Sequence, residues 1–223
     1  MIILLFLALA FAALETLALS KNLPNLERVA KPAVMVCLFA WLYLSTGLQG
    51  NMLWFGLGIL FSLIGDVLLM LSVDRFFVFG LLAFLVAHVL YIVGFQDQFA
   101  SASGSSLLLV VILAVSVMRV IRRIVGAMRA KGMNRLVIPV VVYSIVISVM
   151  LFAAMSTIFD PAWGTSAAFF VSVGAFLFYM SDIILAWNKF VAPIKNGRMI
   201  NIGLYHLGQI GLIAGIISQF GLQ

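Results

Sequence analysis

The sequence predicts an all-α, polytopic membrane protein in which eight transmembrane helices form a single integral membrane domain over residues 1–223. Two observations favour this fold. The chain is 65% hydrophobic and only 9% charged, and its apolar runs are continuous rather than alternating. Because a soluble domain carries about 25% charged residues, the composition excludes a soluble protein, a disordered chain and a nucleic-acid-binding protein. The single cysteine, Cys37, excludes a disulfide framework and a cysteine-based zinc site.

Each predicted span is an apolar run near the ~20 residues that a helix needs to cross a bilayer. The first span contains Glu15 and lacks a preceding basic segment, so we expect a retained helix rather than a cleaved signal peptide. The connections between spans are too short to form a soluble domain. In chain order the spans are 1–20, 33–48, 52–71, 76–96, 105–121, 136–158, 165–187 and 200–220.

The basic residues indicate how these spans are oriented. All 13 lysines and arginines fall in or beside the first, third, fifth and seventh connections, whereas the other connections and both termini hold none. The positive-inside rule therefore places the odd-numbered connections in the cytoplasm and both termini outside. The most basic stretch, residues 122–135, is interpreted as a topology signal that lies on anionic lipid headgroups.

Ionisable side chains inside a span are costly, so each of them is a candidate functional residue. Helix geometry places Asp66 and Asp182 at nearly the same depth, ~7 Å from the cytoplasmic ends of their spans, and His88 deeper. The other acids, Glu27 among them, fall in predicted connections. The intramembrane ionisable residues are Glu15, Asp66, Asp182, His88 and His206.

Polar side chains also share helix faces. Ser62 and Asp66 are four residues apart on one small, polar face of span 3, which suits close helix packing. Asn201, Tyr205 and Gln209 form a stripe along span 8, and such a stripe must face protein or a water-filled cavity. Most of this polar inventory lies in the cytoplasmic half.

The segments around the two aspartates resemble each other: IGDVLL at 64–69 and MSDIIL at 180–185. Each is followed by a helix with a histidine and a tyrosine, His88 and Tyr91 in span 4, and His206 and Tyr205 in span 8. The pattern is that of a parallel 4+4 repeat, in which the two acids would meet near a pseudo-two-fold axis along the membrane normal.

Two carboxyl groups in a low-dielectric pocket can hold opposite protonation states, so that one acts as an acid and the other activates water. This pair suits hydrolysis through an oxocarbenium-like cation, as in glycoside hydrolysis, and needs no metal or cofactor. A pocket open to the inner leaflet would receive an amphiphile, whose headgroup phosphate Lys31 would hold.

Other interpretations stay open. A small transporter or lipid-binding protein would use the buried acids as a coupling or binding site. A structural subunit would need neither kind of site. A three-histidine zinc site requires more histidines than the two in the chain. The predicted depth of His88 counts against a mixed site of both histidines and both aspartates.

Several short segments, spread over nearly the whole chain, share their order and spacing with a known family. They are Lys31-Pro32, FSLIGDVLLM at 61–70, GLLAFLVAHVLY at 80–91, GAFLFYMSDIILA at 174–186 with Asn188 to Phe190 after it, and YHLGQ at 205–209. In these segments the sequence resembles the YhhN-like family, the lysoplasmalogenases, which has the same eight-helix layout.

The resemblance implies hydrolysis of the vinyl ether bond of lysoplasmalogen, a lysophospholipid, in a bacterial inner (plasma) membrane. The products would be a fatty aldehyde and glycerophosphoethanolamine or glycerophosphocholine. Asp66 and Asp182 would be the acid and the water-activating base, in either order. The residues expected to bind or orient substrate are Glu15, Lys31, Ser62, His88, Tyr91, Asn188, Tyr205, His206 and Gln209.

Overall fold

The computed structural model describes residues 2–99 and 104–221. In these ranges all regular structure is helical, and eight long helices are each long and apolar enough to cross a membrane. This confirms the predicted all-α, eight-span fold. Residue 1, where the first predicted span starts, lies outside the described residues. The helices are α1 (Ile2–Ser20), α2 (Pro24–Thr46), α3 (Met52–Leu71), α4 (Val73–Gly94), α5 (Gly104–Ala130), α6 (Val137–Ser156), α7 (Thr165–Ala186) and α8 (Gly197–Phe220).

Helix α2 begins at Pro24 rather than at residue 33, the predicted start of span 2. Proline is favoured in the first turn of a helix because its fixed φ is already helical and its missing N–H needs no partner. The earlier start places Glu27 and Lys31 on the helix, and each is only 8% exposed. The prediction that Glu27 is an ordinary connection residue is therefore wrong.

Two other helices extend beyond their predicted ends. Helix α5 continues to Ala130 instead of residue 121, so most of the basic stretch is helical. Helix α7 continues into a π-helical turn, Trp187–Val191. The helical segment therefore ends four residues later than predicted, and Asp182 lies about one turn further from its end.

The helices pack mainly as consecutive antiparallel pairs. Contacts are most extensive between α7 and α8, where glycines bring the two backbones together. A Cβ atom at Gly174 would lie 2.2 Å from the Leu212 nitrogen, and one at Gly208 would lie 2.6 Å from the Phe178 nitrogen. The backbones of α7 and α8 therefore fit against each other only without side chains at these positions.

Contacts between the two halves of the chain follow a parallel pattern. Helix α2 packs on α3 and α8, and helix α6 packs on α7 and α4. This is the exchange of partners that a 4+4 repeat would produce. The repeat itself, and the side of the membrane that each terminus faces, stay predictions.

Candidate functional site

A polar cavity of about 120 Å³ lies among α2, α3, α7 and α8, near the α7–α8 connection. Asp66 and Asp182 are both in its wall. The two acids that the sequence placed at matched depth thus border one cavity. The polar residues of the wall are Glu27, Lys31, Asp66, Ser181, Asp182, Arg198, Asn201 and Tyr205.

Asp66 is held by two donors from other helices. Lys31 Nζ on α2 lies 3.0 Å from its Oδ1, and the Tyr205 hydroxyl on α8 donates to its Oδ2 at 2.6 Å. Hydrogen bonds between charged partners are the strong ones in proteins. Both donors stabilise the ionised form of this buried carboxyl.

Asp182 has a different set of neighbours. The Tyr143 hydroxyl on α6 donates to its Oδ2, and His88 Nε2 on α4 lies 3.0 Å from the same hydroxyl and 3.6 Å from that Oδ2. His88 thus reaches Asp182, although its predicted depth counted against a mixed site of both histidines and both aspartates. Sequence reasoning also missed Tyr143, which has no polar neighbour at helical spacing to mark it.

The contacts of the two acids mirror each other. Asp66 on α3 is held from α2 and α8, whereas Asp182 on α7 is held from α6 and α4. Exchanging the first four helices for the last four converts one set of helices into the other. The side chains at corresponding positions nevertheless differ, because a lysine and a tyrosine hold Asp66 whereas a tyrosine and a histidine hold Asp182. The two carboxyl groups are therefore not equivalent.

Behind Tyr205, a second polar network joins α3, α4 and α8. The Tyr91 hydroxyl donates to Gln209 Oε1 at 2.9 Å, and Gln209 Nε2 donates to Ser62 Oγ at 3.1 Å. Asn201, at the other end of the stripe, donates to the Ser181 carbonyl at 2.7 Å. The stripe on α8 therefore faces neighbouring helices and the polar cavity, which agrees with the prediction that it faces protein or a water-filled cavity. Tyr91, Gln209 and Ser62 support the cavity wall without lining it.

Glu15 and His206 form a buried pair that connects α1 to α8. Glu15 Oε2 is hydrogen-bonded to His206 Nε2, and the two side chains are 0% and 1% exposed. Glu15 Oε1 and His206 Nδ1 have no hydrogen-bond partner within the described part of the chain. Neither residue is in the wall of the polar cavity.

Asn188 also lies outside the cavity wall. Its Oδ1 accepts a hydrogen bond from the Ile194 amide at 2.7 Å, within the α7–α8 connection. A Cβ atom at Gly197 would lie 2.2 Å from Asn188 Nδ2. The contacts of Asn188 therefore fix the path of the chain from α7 into α8.

An ion pair lies at the more exposed edge of the cavity. The Arg198 guanidinium donates to Glu27 Oε1, and the Arg198 side chain is 66% exposed against 10% for Glu27. Sequence reasoning missed both residues because it assigned them to connections. Pro24 as a helix-start signal, with Glu27 and Lys31 four residues apart, would have placed Glu27 on the Lys31 face.

A second, apolar cavity of about 50 Å³ lies among α4, α5, α6, α7 and the π-helical turn. Four residues are in the walls of both cavities: Leu69, Phe84, Asp182 and Leu185. Asp182 is the only carboxyl among them. This residue therefore stands at the boundary between a polar space and an apolar one.

The arrangement suits acid–base chemistry on an amphiphile. Two carboxyl groups with different partners can divide the roles of acid and base. Within residues 2–99 and 104–221, no group of three or more His, Cys, Asp or Glu side chains is arranged to hold a metal ion. The fold and the site together define a polytopic membrane protein with two aspartates on one intramembrane cavity.

Comparison with known proteins places this membrane protein in a family. The YhhN family matches residues 26–216, and the chain belongs to it. Lysoplasmalogenase TMEM86B of Mus musculus is 27% identical over 205 residues, covering 86% of this chain and 75% of that protein. No solved structure matches the chain.

Two further relatives carry the same enzyme name. Lysoplasmalogenase TMEM86B of Sus scrofa is 30% identical over 161 residues, covering 72% of this chain and 62% of that protein. Lysoplasmalogenase TMEM86A of Bos taurus is 30% identical over 156 residues, covering 69% of this chain and 60% of that protein. The chain thus aligns with less than two thirds of the length of these two relatives.

Proposed function

We propose that the protein is a lysoplasmalogenase, an intramembrane hydrolase that cleaves the vinyl ether bond of a lysophospholipid. The products would be a fatty aldehyde and glycerophosphoethanolamine or glycerophosphocholine. The observation that carries the proposal is the presence of Asp66 and Asp182 in the wall of one cavity. Membership of a family whose curated relatives are named lysoplasmalogenases supports the same substrate class.

The reaction divides into three balanced steps. An acid protonates the vinyl carbon on the chain side, which leaves an oxocarbenium cation on the carbon bonded to oxygen. Water adds to that carbon and gives up a proton to a base, which forms a hemiacetal. The hemiacetal then collapses: its hydroxyl loses a proton, the bond from this carbon to the glycerol oxygen breaks, and that oxygen takes a proton.

Asp182 is the better placed acid. The proton must reach the carbon that continues into the hydrocarbon chain, and Asp182 is the carboxyl that borders the apolar cavity. Its neighbours Tyr143 and His88 hold the carboxyl in position from α6 and α4. We assign Asp182 as the general acid.

Asp66 is the better placed base. It faces the polar cavity, where water and the glycerol part of the substrate would lie. Lys31 and Tyr205 both stabilise its ionised form, which is the form that accepts a proton from water. Lys31 thus acts on the substrate mainly through Asp66, because its ammonium already has this partner.

We assign the headgroup phosphate to Arg198, because its guanidinium has N–H donors besides the one that Glu27 Oε1 accepts. It is the more exposed partner of the Glu27 pair and lines the same cavity. Glu27 is about one helical turn from Lys31, ~6 Å along α2, so the Glu27–Arg198 pair lies on the same side of α2 as the Lys31–Asp66 pair. The positions of the basic residues predict that this edge of the cavity faces the cytoplasm, in a protein of the bacterial inner membrane.

Aldehyde release tests the proposal directly. Purified protein in detergent should release aldehyde from an alkenyl lysophospholipid, and Asp66→Asn or Asp182→Asn should lower kcat by about 10²–10⁴-fold. Asp97→Asn is the matched control, because Asp97 pairs with Asn51 near the opposite ends of the helices. Full activity in either cavity variant would contradict the carboxyl mechanism, and uptake driven by a proton gradient without aldehyde would favour a transporter.

A further inference from the structure

The apolar cavity beside Asp182 has neither Glu27 nor Arg198 in its wall. We propose that it holds the first carbons of the substrate's hydrocarbon chain, and that the chain reaches the lipid between α5 and α6. This inference rests on the proposed function and adds the position and direction of the bound lipid. It assigns a binding role to α5, which carries none of the residues predicted from the sequence.

The wall that the apolar cavity shares with the polar cavity is the first argument. Leu69, Phe84 and Leu185 line both spaces together with Asp182. A vinyl ether lies where the polar glycerol part of the lipid meets its apolar chain. When that bond is beside Asp182, the glycerol part fits the polar side and the chain fits the apolar side.

The chemistry of the wall is the second argument. Most of the side chains around the apolar cavity are hydrocarbon, from Phe77 on α4 to Phe190 on the π-helical turn. The polar groups in the wall have partners of their own. The Tyr143 hydroxyl donates to Asp182, and the Ser144 hydroxyl donates to the Val140 carbonyl at 2.8 Å. Such a surface binds a chain through burial of its methylene groups.

A way out to the lipid is the third argument. A cavity of about 50 Å³ holds only a few carbons, so the rest of the chain must continue elsewhere. Val117 and Ile121 line this cavity and also an apolar groove of about 460 Å³ between α5 and α6. Several side chains of that groove, such as Met118 and Val149, are exposed on the outer surface. The groove therefore adjoins the apolar cavity and has side chains on the surface that would face the hydrocarbon of the membrane.

A binding experiment tests this placement without relying on catalysis. Saturated alkyl lysophospholipids lack the vinyl ether and are not hydrolysed by the proposed reaction, and their affinity can be measured by calorimetry in detergent. Val120 lines the apolar cavity, so Val120→Trp should fill it. We expect the affinity for the hexadecyl ether to fall about tenfold, as expected when a hydrophobic pocket is obstructed.

Val115→Trp is the matched control. Val115 lies on the same helix, is 47% exposed and lines neither the cavity nor the groove. We expect this variant to bind the hexadecyl ether within about twofold of the unmodified protein. Equal weakening in both variants, or in neither, would overturn the placement of the chain.

Photo-crosslinking keeps the inference testable if the tryptophan variant does not fold. A lysophospholipid with a diazirine in its alkyl chain should label peptides of α5 and α6 that contain residues 117–121 and 140–147. Labelling confined to α1 and α2 would contradict the proposal. Either result is independent of turnover, so a protein that releases no aldehyde would refute the proposed function while the chain position is still decided.

Discussion

Lys31 Nζ lies 3.0 Å from Asp66 Oδ1, and both side chains are almost fully buried. Each of these buried charges stabilises the other, because either one alone would be a buried charge without a partner of opposite sign. This relationship connects the folding of α2 against α3 with the protonation state of the proposed base.

Replacing Lys31 by methionine should therefore affect stability and activity together. We expect Lys31→Met to reduce the free energy of unfolding by about 3–5 kcal/mol and to lower kcat at least about tenfold, because Asp66 loses the partner that favours its ionised form. Thermal unfolding in detergent and aldehyde release measure the two effects. Adding Asp66→Asn should restore stability but not activity, and recovery of both would refute the role of Asp66 as base.

The Tyr143 hydroxyl offers a second test, because it is the group that connects His88 to Asp182. Tyr143→Phe removes only that hydroxyl. We expect kcat to fall about tenfold, in keeping with the loss of a hydrogen bond to a charged or reacting group, while KM changes little. Tyr43→Phe, at a tyrosine that is 53% exposed on α2, is the control. An unchanged kcat in Tyr143→Phe would show that Asp182 needs no positioning from α6.

Headgroup binding should depend on Arg198 rather than on the basic charge of the connection as a whole. Arg198→Gln is expected to raise KM for an alkenyl lysophospholipid about tenfold through loss of a charge-assisted contact with phosphate. Lys195→Gln removes the same charge from an exposed neighbour outside the cavity wall and should leave KM nearly unchanged. Similar KM values for the two variants would argue against a phosphate site at Arg198.

Close packing of α7 on α8 can be tested with two glycines on one helix. A Cβ atom at Gly208 would lie 2.6 Å from the Phe178 nitrogen, whereas one at Gly203 would meet nothing within 4 Å. Gly208→Ala should destabilise the protein by about 1–3 kcal/mol, the usual cost of overpacking, and Gly203→Ala should be nearly neutral. Unfolding temperatures that fall equally in both variants would contradict this packing.

Much of the fold follows directly from composition and span length. The number of helices can be counted from the apolar runs, because a run of sufficient length predicts a membrane-spanning helix whatever that helix packs against. The small face around Ser62 and Asp66 could also be predicted, because helical spacing alone brings such residues to one side. These features depend on residues that are close together in the sequence, so the sequence alone predicts them.

The errors concern position across helices. Depth along a span says nothing about rotation or tilt, so it could not show that His88 reaches Tyr143 and Asp182. The length of α7 depended on the π-helical turn Trp187–Val191, which has no distinct hydropathy signal. Glu27 was misplaced because charged residues lower hydropathy even where a partner such as Arg198 allows them to be buried.

Asp182 borders a polar space on one side and a hydrocarbon space on the other, which has a consequence for how a turnover would end. The aldehyde would be left among α4, α5, α6 and α7, with its route into the bilayer. The water-soluble phosphodiester would be left beside Arg198, with its route into solvent. Under the proposed reaction, cleavage would leave the apolar product beside the bilayer and the water-soluble product beside the solvent. Neither product would have to pass the other to leave the site.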